Sequence, residues 1–263
     1  MESILSKPDI DFKDDTRQAL IVTKYEIMKF ISGKKILIFG IIGLATLALI
    51  TVVMFCFGSD DMTTENGVST YLSFISLLTL LGATLFSSVT LVSEFEERTA
   101  LMLFTKPIRK GSIFVGKFIA AYLLNMIFVI IYYLVAALMV GIKTGGFTAN
   151  IFASLGYCAV YIFALTGIAI LFSALLKKSS SASILTFIFI LLAPSIILSA
   201  LMIANNNFTD TTSYWYILDI ALLAVTNSIN GPVEDGIRAA LVMFVWGLIP
   251  TVASYFLFKR REL

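Results

Sequence analysis

Residues 93–117, SEFEERTALMLFTKPIRKGSIFVGK, form the only long charged stretch between two apolar runs, and they hold the groups best placed to do chemistry. Within them, Gly111 to Lys117 match the first seven positions of the phosphate-binding loop GxxxxGK[ST]. In that loop backbone N–H groups cradle phosphates, the lysine reaches the outer phosphates and a final hydroxyl ligates magnesium. Here the eighth residue is Phe118, and Pro107 and Arg109 stand where a hydrophobic strand should feed the loop. Nucleotide binding is therefore excluded for this segment, and no other stretch offers a phosphate cradle. The chain is expected to bind no cofactor and to hydrolyse no ATP alone. It has no histidine, the commonest acid–base group and metal ligand. Cys56 and Cys158 lie in apolar stretches without CxxC or CxxH spacing and read as small buried hydrophobes. No catalytic or metal-binding residue is expected.

The elements that carry this segment are membrane spans. Of 263 residues, 59% are hydrophobic and 14% charged, against about a quarter charged in soluble domains. Six apolar runs approach the ~20 residues of a bilayer crossing: residues 36–57, 69–92, 118–140, 151–176, 182–204 and 237–258. All but two of the 19 lysines and arginines, Lys143 and Arg238, fall in alternate connections. The positive-inside rule then places both termini, residues 93–117 and the turn at Lys177 and Lys178 in the cytoplasm. The late start of the first apolar run argues against a cleavable signal peptide. The expected fold is all-α, an integral membrane protein of the plasma membrane. Residues 1–35 are its cytoplasmic tail (1–18) and an interfacial amphipathic helix (19–35), and residues 36–263 its six-span domain.

In that interfacial helix Leu20, Ile27, Met28 and Ile31 share one side, with Glu26 and Lys29 away from it. Residues 205–236 open with a polar run containing the sequon Asn207-Phe208-Thr209, then turn apolar with only Asp219 charged. They read as a re-entrant outer hairpin before the last span, with Tyr214, Trp215 and Tyr216 at headgroup level; an additional span is the alternative. The spans hold almost no ionisable residue, which argues against an ion-coupled carrier. On the second span Ser73, Ser76, Thr84, Ser87 and Ser88 gather on one helical side. They suit either the lining of a translocation path or close packing through small residues.

Returning to residues 93–117, Ser93 followed by Glu96 has capping-box spacing, and Glu94, Glu96 and Glu97 suit the positive end of a helix dipole. A short helix would run to about Phe104, stop near Pro107, and display Phe95, Leu101, Met102 and Phe104 beside charge. Such a surface marks a protein contact; the alternative is a helix lying on the membrane surface.

The order Glu94, Glu97-Arg98-Thr99, Pro107, Arg109 and Gly116-Lys117 opening the third span resembles the cytoplasmic loop of type-2 ABC exporter membrane subunits. The basic ending Lys259-Arg260-Arg261-Glu262-Leu263 and the whole hydropathy plan are similar too. Glu97-Arg98 departs from the glycine that the family often has before the threonine. The resemblance implies a permease working as a dimer, a homodimer by expectation, with separate ATP-binding cassette ATPase subunits that carry ATP and magnesium. It implies that Glu94, Glu97, Arg98, Thr99 and Met102 seat in the ATPase and that Lys177 and Lys178 make a smaller contact. The lipid bilayer is its remaining expected partner, and no nucleic acid is expected. A nucleotide-independent channel or secondary carrier, and a membrane scaffold or sensor without transport, remain alternatives.

Overall fold

The computed structural model describes residues 12–57, 63–96, 110–204, 216–233 and 235–260. Among them the structure is helical, and six helices are long and apolar enough to cross a membrane. Helix α1 (Phe12–Ile31) precedes the first span, α2 (Lys34–Phe57). The second span, Thr64–Glu96, is built from α3 (Thr64–Leu72), α4 (Ile75–Gly82), a π-helical segment (Ala83–Ser87) and α5 (Val92–Glu96). The remaining spans are α6 (Lys110–Thr144), α7 (Asn150–Leu175), α8 (Ser179–Ala204) and, after the short α9 (Leu218–Asn227), α10 (Gly236–Arg260). The six-span expectation holds.

Boundaries differ in two informative places. Helix α1 starts at Phe12, inside the expected tail, and ends before Ser32 and Gly33. Helix α6 starts at Lys110, eight residues ahead of the expected third span. Its 35 residues reach about 52 Å at 1.5 Å per residue, well beyond a hydrocarbon core of about 30 Å. The helix is therefore longer than a hydrocarbon core alone requires.

The spans are unequally enclosed. The second span and α7 are mostly buried, whereas α2 and α8 expose most of their apolar surface. Helices α7 and α10 pack along most of their length, and a Cβ on Gly167 would lie 2.4 Å from Gly247 O. Only glycine permits that backbone approach, the small-residue packing usual where lipid offers no hydrophobic drive between helices. An aromatic cluster joins α1, α2, the second span and α6: Phe86 packs edge-on against Phe30 and Phe39 at 5.6 and 5.2 Å, and Phe39 against Phe128 at 4.7 Å. Cys158 is buried as expected, but Cys56 is exposed near the end of α2, because few residues pack on that span.

The second span is broken where its side chains offer alternative hydrogen bonds. Ser88 and Thr90 hydroxyls donate back to Thr84 O and Phe86 O at 2.5 and 2.6 Å, the local competition that loosens a helix. The π turn and the non-helical residues 88–91 follow, and π segments inside helices recur at functional sites. Ser173 Oγ on α7 accepts from the N–H groups of Leu91 and Val92, each at 3.0 Å. Backbone groups freed inside a membrane protein must find such partners.

Helix α9 lies beside α7. Asn150 Nδ2 donates to Ile229 O at 2.9 Å and Ser154 Oγ to Val225 O at 2.6 Å. Further into α7, Tyr161 shares a cavity with Asp219. Going back along α9 therefore means going deeper along α7.

Candidate functional site

One face of α1 is formed by Ala19, Thr23, Glu26 and Phe30, all buried, while Leu20, Met28 and Ile31 are exposed. Spacings of four, three and four put the first set on a single helical face. That face packs on the start of α6. The Thr23 hydroxyl lies 3.0 Å from Gly116 O. A Cβ at Gly116 would lie 2.7 Å from Ala19 O and 2.8 Å from the Val22 Cβ, so the glycine sets how closely α1 approaches.

Lys117 then reaches into the gap. Its side chain is 1% exposed, and its Nζ donates to Glu94 Oε1 at 3.0 Å, to Thr90 O at 3.3 Å and to Glu26 Oε1. All three ammonium donors are used. Lys29 adds a second cation, its Nζ 3.3 Å from Glu94 Oε1. Two carboxylates and two ammonium groups thus balance. Burying ions costs several kcal/mol each and is tolerable only with such pairing.

The cluster joins three elements: α1 through Glu26, the end of the second span through Glu94, and the start of the third through Lys117. Residues 97–109, which link the second and third spans, lie outside the described residues. Their two flanks, Glu94 and Lys117, are held to each other. Two residues past Glu94, the Glu96 carboxylate accepts from Ser179 N at 2.8 Å and from the Ser179 hydroxyl. Ser179 opens α8 directly after Lys177 and Lys178. A carboxylate at a helix N-terminus satisfies otherwise orphaned N–H groups there.

Several expectations change. The capping box does not form: Ser93 N donates to Val89 O at 3.1 Å, so its N–H needs no cap, and Glu96 serves α8 instead. Glu26 does not face headgroups but is buried against Lys117. The phosphate-loop likeness is helical throughout, and its glycine and lysine have the packing and pairing roles just described. Lys117 itself was expected ahead of the span; it lies inside α6, so the long helices are not free of ionisable groups. The hint in the sequence was slight: one carboxylate, Glu26, in the apolar-rich second half of α1, and one lysine beside a glycine near the head of a span.

Of the expected contact residues, Glu94 is buried and turned inward, and Lys177 and Lys178 are exposed beside Ser179. Glu97, Arg98, Thr99 and Met102 lie outside the described residues. The hydroxyl residues of the second span do not share one cavity. Ser73 is exposed and bonds Ser69 O, and Ser76 lines the cavity of Asp219. Thr84, Ser87 and Ser88 are buried, Thr84 on Leu81 O and Ser88 0% exposed beside Ser183 at 2.9 Å.

A family model described as ABC-2 family transporter protein matches residues 20–263. The chain belongs to the ABC-2 transporter family. No individually curated protein matches it. The match begins within α1 and runs through the last span, so the second part of α1 belongs to the family unit together with the spans. The ABC-2 chain is a multi-pass membrane protein, the permease of an ABC transporter. In this ABC-2 permease the charged cluster lies where α1 meets the two ends of the connection between the second and third spans.

Proposed function

We propose that this permease exports its substrate with energy from ATP hydrolysed, with magnesium, on a separate ATPase subunit, and that residues 97–109 receive the ATPase's movement. The observation that carries this reading is the Lys117–Glu94–Glu26 cluster. A connection whose two flanks are bolted to each other and to an interfacial helix moves with them as one body. A push on Glu97, Arg98, Thr99 or Met102 then reaches the second span, the third span and α1 together. Glu94 acts as an anchor behind the contact surface. Lys177 and Lys178 lie beside the α8 start that Glu96 caps, and add a smaller contact.

In this reading both termini are cytoplasmic, in line with the lysine and arginine distribution, and the permease acts as a homodimer in the plasma membrane. The exposed apolar flanks of α2 and α8 face lipid or the second copy. In the same reading α9 is the returning arm of a re-entrant hairpin; residues 205–215, with Tyr214, Trp215 and the sequon, lie outside the described residues.

The test is co-expression with a soluble ABC ATPase subunit of the same cell. Replacing Glu97 and Arg98 together by Ala should abolish co-purification while leaving the permease folded. Unchanged capture of the ATPase by that variant, or gradient-driven flux through the purified permease without any ATPase, would overturn the reading.

A further inference from the structure

The outer half of the molecule holds a cavity of about 240 Å³ between the second span, α7, α8 and α9. Its polar lining is Ser76, Tyr161, Ser195 and Asp219. The Ser195 hydroxyl donates to Asp219 Oδ2 at 2.9 Å, which orients the carboxylate and leaves Oδ1 to the cavity. Tyr161 is only 4% exposed, yet among the described residues its hydroxyl has no hydrogen-bond partner, nor has that of Ser76. The Tyr161 oxygen is not fully enclosed and is reached from the cavity that the residue lines. Here a half-buried carboxylate and two unbonded hydroxyls share one space, and among the described residues no cationic side chain lines it.

That set of groups selects its ligand. One negative charge with several oxygen acceptors suits a cation that carries its own N–H donors. A hard divalent metal would want six or more oxygens, more than this cavity presents. The size argues further. Taking a water's share as about 30 Å³, the cavity admits a headgroup and its first few carbons, not a whole amphiphile. Leu77 and Leu191 on its lining are 40% and 46% exposed, so the cavity opens sideways along apolar surface, where a tail can lie.

We propose that this cavity is a binding site for ammonium-headed amphiphiles, with the ammonium on Asp219 between Tyr161 and Ser76 and the apolar tail leaving past Leu77 and Leu191. The proposal deepens the export reading by naming a substrate class, and rests on it only for the step from bound ligand to cargo. Binding is measured without an ATPase, so loss of either reading leaves the other standing.

The experiment uses the full chain in phosphatidylcholine nanodiscs and compares dodecylamine with dodecanol at neutral pH. The wild type should bind the amine well above the alcohol. Asp219→Asn, nearly the same shape, should weaken amine binding about 30-fold or more and leave dodecanol unchanged. Because that variant could misfold, a second measurement keeps Asp219. In a Cys56→Ser, Ser76→Cys background, dodecylamine but not dodecanol should slow modification of the new thiol by methyl methanethiosulfonate. Equal binding of amine and alcohol, undiminished amine affinity in folded Asp219→Asn, or a thiol that dodecylamine leaves fully reactive would each overturn the proposal.

Discussion

Lys117 Nζ lies 3.0 Å from Glu94 Oε1, 23 residues apart in sequence. Both side chains are buried. Removing one partner of such a pair leaves a buried charge uncompensated, which costs about 3–5 kcal/mol. Lys117→Met should therefore lower the thermal midpoint of the detergent-solubilised permease sharply. Adding Glu26→Gln to that variant should recover part of the loss, since one stranded carboxylate is then neutral. If the double variant is no more stable than the single one, the cluster is not the cause.

Lys29 makes a contrasting case. Its Nζ is 3.3 Å from the same Glu94 oxygen, but its side chain is 44% exposed. Exposed pairs contribute roughly 0–1 kcal/mol. Lys29→Ala should shift the midpoint little. A shift as large as that of Lys117→Met would mean that the lysines share the burden equally.

Gly116 tests how α1 is attached. A side chain there meets the Ala19 carbonyl and Val22, and a backbone carbonyl cannot be displaced without moving α1. Gly116→Val should release α1, which a protease cut among residues 12–31 would report, with the six spans still assembled. Gly111→Ala, five residues earlier where a Cβ finds only the Tyr255 side chain at 3.5 Å or more, should leave protection intact.

Much of this architecture was legible because a membrane span needs only length and apolarity. The six crossings, the break before Ser179 and the family likeness of the 93–117 segment could all be read that way. The burial of Glu26 and Lys117 could not. Each sits in a helix whose pattern describes its own faces and is silent about which neighbour covers them. The irregular second span was hidden for a related reason: no proline or glycine marks residues 88–91. The chain departs from the helix because Ser173 and Lys117, far away in sequence, replace the missing backbone partners. The Asp219 cavity was half visible, since the lone charge in an apolar stretch stands out, whereas Tyr161 and Ser195 look like ordinary span residues.

Asp219 gives a pH prediction with two opposite signs. Burial pushes its carboxyl above the usual range, with the Ser195 hydrogen bond opposing. A carboxyl whose pKa is higher in the folded state favours folding while it is protonated. Its contribution is therefore least unfavourable at low pH and worsens as pH rises through the folded pKa; Asp219→Asn should remove that component. Ammonium binding needs the charged form and should instead weaken as pH falls through the same pKa. Tyr161 is the other titratable side chain lining the cavity. Dodecylamine affinity that stays flat from pH 7 down to pH 4 would separate Asp219 from the bound cation.

Glu96 connects the two cytoplasmic connections through Ser179. Its carboxylate is exposed, so Glu96→Ala should leave the thermal midpoint almost unchanged. What it severs is mechanical: movement of residues 97–109 no longer passes directly to the start of α8. With the ATPase partner present, the variant should assemble normally and still hydrolyse ATP, but transport per ATP should fall. Ser179→Ala, which keeps the backbone N–H as a donor to Glu96, should lie between the variant and the wild type. Equal transport yield in all three proteins would show that α8 is driven through Lys177 and Lys178 instead, independently of the first connection.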